Sequence, residues 1–314
     1  MAENEMSVRG RVIRELIAHV TNDNLIGRKI KNGELRKKLV EPPWKCPDIF
    51  RYSIIEMELA SGVKKENKSA FTMEYLEPKE HPNHSKVVLQ LHGGGYIGAM
   101  RNAYRTFAGL YSELGKGIPV LSVDYRVAPE HPYPAALEDA AAAYLWLREK
   151  GFRAEQIVVA GDSAGGGLAM ALCMYLRDHD YELPCGIVAM SPWTDLTASG
   201  ESYESNYEKD PLFGNTRDSL VYNRDYVGKH NAREPYISPL FGNFSDFPPM
   251  LIQVGDYEML LSDSVSVAKK AREAGVKVRL SIYEGMFHVF QMAMLLMPES
   301  KRAWAEVGHF LELI

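Results

Sequence analysis

Cysteine is scarce in this chain: three among 314 residues, Cys46, Cys173 and Cys185, with no metal-ligand spacing among them. So odd and sparse a set argues against a disulfide framework and makes a reducing cytoplasm the default setting. Long apolar runs are missing too. The start, Met1 to Arg14, carries charges throughout and has no apolar core of signal-peptide length, so neither export nor stable membrane insertion is expected. Neither sign of charge is in large excess: 36 Lys and Arg against 41 Asp and Glu give a formal net charge of -5, without a nucleic-acid signature. Internal repeats and low-complexity linkers are absent as well. At 46% hydrophobic and 25% charged, the composition is ordinary for a globular chain, long enough to bury a sizeable core as one domain spanning 1–314.

What is present is a regular alternation of elements. Ile55, Met57 and Leu59 alternate with glutamates, and Phe71, Met73 and Tyr75 alternate with Thr72 and Glu74, the pattern of half-exposed antiparallel strands. Six later apolar runs, 87–91, 120–123, 157–160, 187–190, 250–254 and 278–283, are mostly separated by helix-length segments. That order implies βαβ crossovers and a mainly parallel central sheet flanked by helices. Cys173 falls within an apolar helix pattern and reads as core. Two regions depart from the alternation, about 1–45 and 195–246, and are expected to form a helical cap. In the first, Val12, Ile13, Leu16, Ile17 and Val20 recur at helical spacing. In the second, the residues near Thr216 to Val227 are expected to form a helix.

Two glycine-rich stretches follow strand-like runs: His92-Gly93-Gly94-Gly95-Tyr96 and Gly161-Asp162-Ser163-Ala164-Gly165. In Gly-x-Ser-x-Gly the serine occupies a strained strand-to-helix turn, and small residues on either side are needed because backbone crowds it. Ser163 is the candidate nucleophile. The glycine run can point peptide N–H groups at a developing oxyanion. Gly93-x-Gly95-x-x-Gly98 also matches a dinucleotide fingerprint, a weak signal when alone. Among nine histidines, His288 follows the strand-like run 278–283, whose loop opens on the same sheet edge as the nucleophile turn. His92 is expected to shape the glycine loop, and His81, His84, His131 and His309 to be structural or on the surface. The acid follows the run 250–254, where Asp256 and Glu258 could each orient an imidazole. Asp263 reads as a helix-start or surface group. Nucleophile, acid and base then fall in the order known for α/β-hydrolases.

Four segments carry a family resemblance: His92-Gly93-Gly94-Gly95, the run Asp124 to Ala136, Gly161 to Gly166, and Gly285-x-x-His288-x-Phe290. From about Lys45 onward the chain resembles the hormone-sensitive-lipase-like group of α/β-hydrolases, the bacterial family IV esterases. The resemblance implies an α/β-hydrolase fold and a carboxylesterase for short- to medium-chain esters, needing no metal or organic cofactor. It favours Glu258 as the acid, since Glu258-Met259-Leu260 stands where the family has Asp-Pro-Leu. It also implies oxyanion donors from Gly94, Gly95 and Ala164, with Gly93 as a further candidate that more readily shapes the turn. Asp124 to Ala136 reads as a rigid support rather than a source of catalytic groups. A small-molecule ester is the expected partner, and a homodimer through an exposed edge strand fits the family. Two rivals remain: a non-catalytic binding protein, as in plant gibberellin receptors that lack the histidine, and an amidase or sugar-ester deacetylase using the same triad.

Overall fold

The computed structural model describes residues 6–21, 41–59 and 69–314. Eight strands form one sheet: β1 (Phe50–Leu59), β2 (Ser69–Pro78), β3 (Val87–Leu91), β4 (Val120–Asp124), β5 (Ile157–Asp162), β6 (Gly186–Met190), β7 (Met250–Gly255) and β8 (Val278–Tyr283). Their order is β1-β2-β4-β3-β5-β6-β7-β8. The alternating β1 and β2 pair antiparallel, Phe50 opposite Pro78, and β2 runs antiparallel to β4. Every later pairing is parallel.

Among the described residues, seven helices accompany the sheet: α1 (Val8–Thr21), α2 (Asn102–Leu114), α3 (Ala135–Glu149), α4 (Ala164–Asp178), the single turn α5 (Ser202–Ser205), α6 (Leu261–Glu273) and α7 (Pro298–Leu313). The central strands are near-continuous apolar runs because both faces are covered, and period-2 geometry sends alternate residues to opposite layers. Val87, Leu89, Val159 and Ile252 pack with α3, α4 and α6, Cys173 among them. Val88, Val158, Val188 and Leu251 pack with α2 and α7 around Phe107, Tyr111 and Trp304. A parallel sheet wound in this way gathers the loops after its strands at one edge.

The expected cap differs from its sequence pattern. Residues 1–5 and 22–40 of its first part lie outside the described residues. In α1, Ile13 and Ile17 pack against Tyr283, Met286 and Phe287, whereas Val12, Leu16 and Val20 are exposed. The inward face is built around Gly10, Ile13, Arg14, Ile17 and Thr21 instead. Residues 195–246 hold only α5 and two short 3-10 turns, Leu220–Tyr222 and Pro239–Phe241. No helix spans 216–227. That chain is shaped by long-range contacts: Tyr226 stacks on Tyr96 at 3.7 Å and its carbonyl accepts from the Tyr133 amide at 2.8 Å. None of the described helices is long and apolar enough to cross a membrane.

Candidate active site

Strand β5 delivers Ser163 at its carboxyl end with φ 52° and ψ -122°, a left-handed backbone that a side-chain-bearing residue adopts only when its surroundings hold it there. They do so through tight backbone packing. A Cβ on Gly161 would stand 2.3 Å from the Gly165 carbonyl oxygen, and one on Gly165 would stand 2.1 Å from that of Leu91. The Ser163 amide donates to the Met190 carbonyl at 2.9 Å, tying the turn to the neighbouring end of β6. Ala164 opens α4, so its N–H lies at the positive end of that helix.

The glycine loop leaves β3 beside this turn. Gly94 and Gly95 have φ of 120° and 65°, and the Gly98 amide returns to the Gly94 carbonyl at 2.9 Å. This tight return, with α2 beginning only at Asn102, is not the strand-to-helix turn of a dinucleotide site. His92 is buried, donates from Nδ1 to the Gly93 carbonyl at 2.7 Å and stacks on Tyr125 at 4.1 Å. Burial pushes its pKa down, so it is a neutral wedge that shapes the loop. Among the described residues, no acceptor engages the amides of Gly94, Gly95 or Ala164. Gly93 is different: its amide already contacts the Tyr104 hydroxyl at 2.9 Å and donates to Asp162 Oδ1 at 3.0 Å, bonds that hold the loop against the serine turn. Asp162 is buried, which raises its pKa to about 6.

The loops after β7 and β8 bring Glu258 and His288 together. His288 Nδ1 donates to Glu258 Oε2 at 2.9 Å, with both side chains buried. That bond fixes the tautomer and leaves Nε2 with its lone pair. Glu258 Oε1 in turn accepts from the Gly255 amide at 2.6 Å and the Ser191 hydroxyl at 2.7 Å. Asp256 points elsewhere, accepting from the Gly285 amide at 2.6 Å, and so shapes the histidine loop from its base. Asp263 does begin a helix but is not on the surface. It is buried in α6, accepts from the amides of Thr194 and Asp195 at 2.7 and 2.8 Å, and burial raises its pKa to about 8. His81, His84, His131 and His309 are exposed.

Ser163, His288, Gly93 and Gly94 line one cavity of about 320 Å³, walled by Leu212, Val289 and Met292. A larger hollow of about 720 Å³ beside Trp146 and Phe152 includes Ser53, Glu77 and an exposed His84 in its lining, but neither of the two glycine-rich turns reaches it. Several supports escaped the sequence reading. Asp210 accepts from the Met259 amide at 2.8 Å and Asn206 donates to the Glu258 carbonyl at 2.8 Å, so region 195–246 braces the acid loop. Phe213 lies 4.7 Å from the His288 ring. No periodicity marks these residues, because each acts through contacts to residues distant in the chain. The run from Asp124 serves as a strut: Arg126 pairs with buried Asp139 at 2.7 Å, Tyr125 donates to the His92 carbonyl at 2.6 Å, and Glu130 and His131 are exposed. Among the described residues, no group of three or more His, Cys, Asp or Glu is placed to hold a metal.

A family model described as alpha/beta hydrolase fold matches residues 88–292. An esterase of Acinetobacter venetianus is 34% identical over 236 residues, covering 74% of this chain and 77% of its own. A crystal structure of EstE5 soaked with p-nitrophenyl butyrate superposes with a TM-score of 0.83 at 32% identity, covering 98% of both chains. A crystal structure of an esterase from the bacterial hormone-sensitive lipase family superposes with a TM-score of 0.81 at 30% identity, covering 98% of this chain and 99% of that one. Sheet order, serine turn and relatives agree, and the chain belongs to the α/β-hydrolase fold family, within it to the hormone-sensitive-lipase-like carboxylesterases.

Proposed function

We propose that this serine carboxylesterase works through Ser163 as nucleophile, His288 as general base and Glu258 as the orienting acid. The observation that carries the reading is the buried 2.9 Å bond from His288 Nδ1 to Glu258 Oε2, with His288 lining the same cavity as Ser163. Ser163 attacks the ester carbonyl while Nε2 of His288 takes its proton. The amides of Gly94, Gly95 and Ala164 stabilise the oxyanion. His288 then returns the proton to the departing alcohol, and the acyl-enzyme is hydrolysed by a water that the same imidazole activates.

A cavity of about 320 Å³ is at the small end of the range for ligand sites and suits short to medium acyl chains. The butyrate ester soaked into EstE5 supports the same size class. Residues 195–246 and the chain before Lys45 act in this reading as the cap that bounds the cavity, Leu212 and Glu41 being their described contributions to its wall. The reading includes a cytoplasmic setting, supported by three unpaired cysteines, and a homodimer through one of the outermost strands, β1 or β8, checked by light scattering.

The test is hydrolysis of p-nitrophenyl esters from acetate to palmitate, with Ser163→Ala alongside. Turnover that peaks at short or medium chains and vanishes in the variant is expected. Folded protein inactive across the series would return weight to an amidase or a sugar-ester deacetylase.

A further inference from the structure

We propose that Ser191 is a positioning residue of the catalytic machinery: its hydroxyl joins the acid loop to the histidine loop and holds Glu258 in register with His288. The inference rests on the triad reading above and deepens it. In the sheet order, β6 lies between β5, which carries the nucleophile, and β7, which carries the acid. Ser191 is the first residue beyond β6, immediately after Met190, whose carbonyl receives the Ser163 amide at 2.9 Å. Position alone places it between the two loops.

Its bonds use that position fully. The Ser191 amide donates to the Gln253 carbonyl at 2.6 Å, anchoring the residue to β7. The hydroxyl donates to Glu258 Oε1 at 2.7 Å and accepts from the Val289 amide at 3.1 Å. One buried hydroxyl therefore touches the acid and the residue after the base. The bond to a carboxylate is charge-assisted, and without it Oε1 would keep only the Gly255 amide. The Val289 amide would lose its partner at the same stroke, in a segment where Val289 holds φ 49° against the preference of a β-branched side chain.

Ser191 itself has φ 47°. Glycine would adopt that backbone more readily than serine, so a role confined to the backbone predicts that Ser191→Gly is harmless. A role for the hydroxyl predicts the reverse. It also predicts a kcat effect rather than a KM effect, because Ser191 does not line the substrate cavity.

The experiment measures p-nitrophenyl butyrate kinetics for Ser191→Ala, Ser191→Gly and Ser191→Cys, with kcat counted per active site by fluorophosphonate titration so that misfolded protein drops out. Ala and Gly are expected to lower kcat by about 10- to 100-fold with KM within about twofold, and Cys, a weak donor, to recover part of the loss. In one-dimensional proton NMR, the downfield His288 Nδ1 proton should shift in Ser191→Ala. Parent-like kcat per site in Ser191→Ala or Ser191→Gly overturns the inference, as does an unmoved proton signal. His288→Asn run in parallel tests the reading beneath it: parent-like turnover there removes the triad itself, whereas an inactive His288→Asn beside a fully active Ser191→Ala removes Ser191 alone.

Discussion

Carboxylates two positions apart can have unrelated roles, and here hydrogen-bond direction separates them. Glu258 accepts from His288 Nδ1, whereas Asp256 accepts from the Gly285 amide. Glu258→Gln should lower kcat by on the order of 10⁴, because the imidazole loses both its anchor and its charge partner. Asp256→Asn should cost far less, since an amide oxygen still accepts from Gly285; steady-state kinetics on p-nitrophenyl acetate ranks the pair. Gly93→Ala makes a second residue-scale case. Its new Cβ would lie 2.2 Å from Asp162 Oδ2, forcing apart the contact that aligns the glycine loop with the serine turn. A drop in kcat of about 100-fold or more is expected, the scale of losing an oxyanion donor, although the Gly93 amide is already engaged by Tyr104 and Asp162. The glycines and Ser163 could be read from sequence because each answers to local backbone geometry. Asp256 and Glu258 could be ranked only through the resemblance of Glu258-Met259-Leu260 to the family's Asp-Pro-Leu, since which one faces His288 depends on a loop thirty residues further along the chain.

Periodicity served the buried strands well because both faces are covered, leaving continuous apolar runs such as Val87–Leu91. It misjudged the periphery. Across 216–227 apolar residues recur, yet Leu220 and Val221 are buried from one short 3-10 turn and Tyr226 from the chain beyond it, and Arg224 donates to the Leu196 carbonyl. In α1 the long apolar side chains are mostly outward, and the contacts that matter come from Arg14: its guanidinium donates to the Gly285 carbonyl at 3.1 Å and lies 4.0 Å from the Tyr257 ring centroid. A hydropathy pattern does not register such a clamp. It makes α1 a brace across the loops that carry Glu258 and His288, since Tyr257 precedes one and Gly285 begins the approach to the other. Removal of residues 1–21 should therefore lower kcat together with Tm, the latter by several degrees, because the cluster of Tyr283, Met286 and Phe287 loses Ile13 and Ile17. Calorimetry and esterase kinetics on the truncated chain check both. On the cavity wall, Leu212→Ala should move the optimum of the ester series toward longer acyl chains.

Over the whole molecule, buried carboxylic acids outside the proposed triad contribute a pH dependence of stability, Asp162 and Asp263 with the largest shifts and Asp139 and Asp210 in the same direction. Burial raises Asp162 to about 6 and Asp263 to about 8, the latter helped upward by the neighbouring Asp195 charge. In the unfolded chain both would ionise near pH 4. Between that pH and the folded-state value, the native protein holds protons that the unfolded chain has released, so stability falls as pH rises. The contribution is complete below about pH 4, declines through the neutral range and is gone once pH passes the folded value. Asp263 has the wider window and sits away from the proposed chemistry, where it ties α6 to the backbone of Thr194 and Asp195 after β6. An amide oxygen in Asp263→Asn can accept from the same two backbone donors without ionising. The variant should carry a constant offset at low pH from its altered polar contacts and then gain on the parent as pH rises from 4 to 8, by a few kcal/mol at most. Urea unfolding of both proteins at unit steps of pH measures the difference. Parallel curves would mean that Asp263 is charged in the folded state and that its backbone donors outweigh its burial.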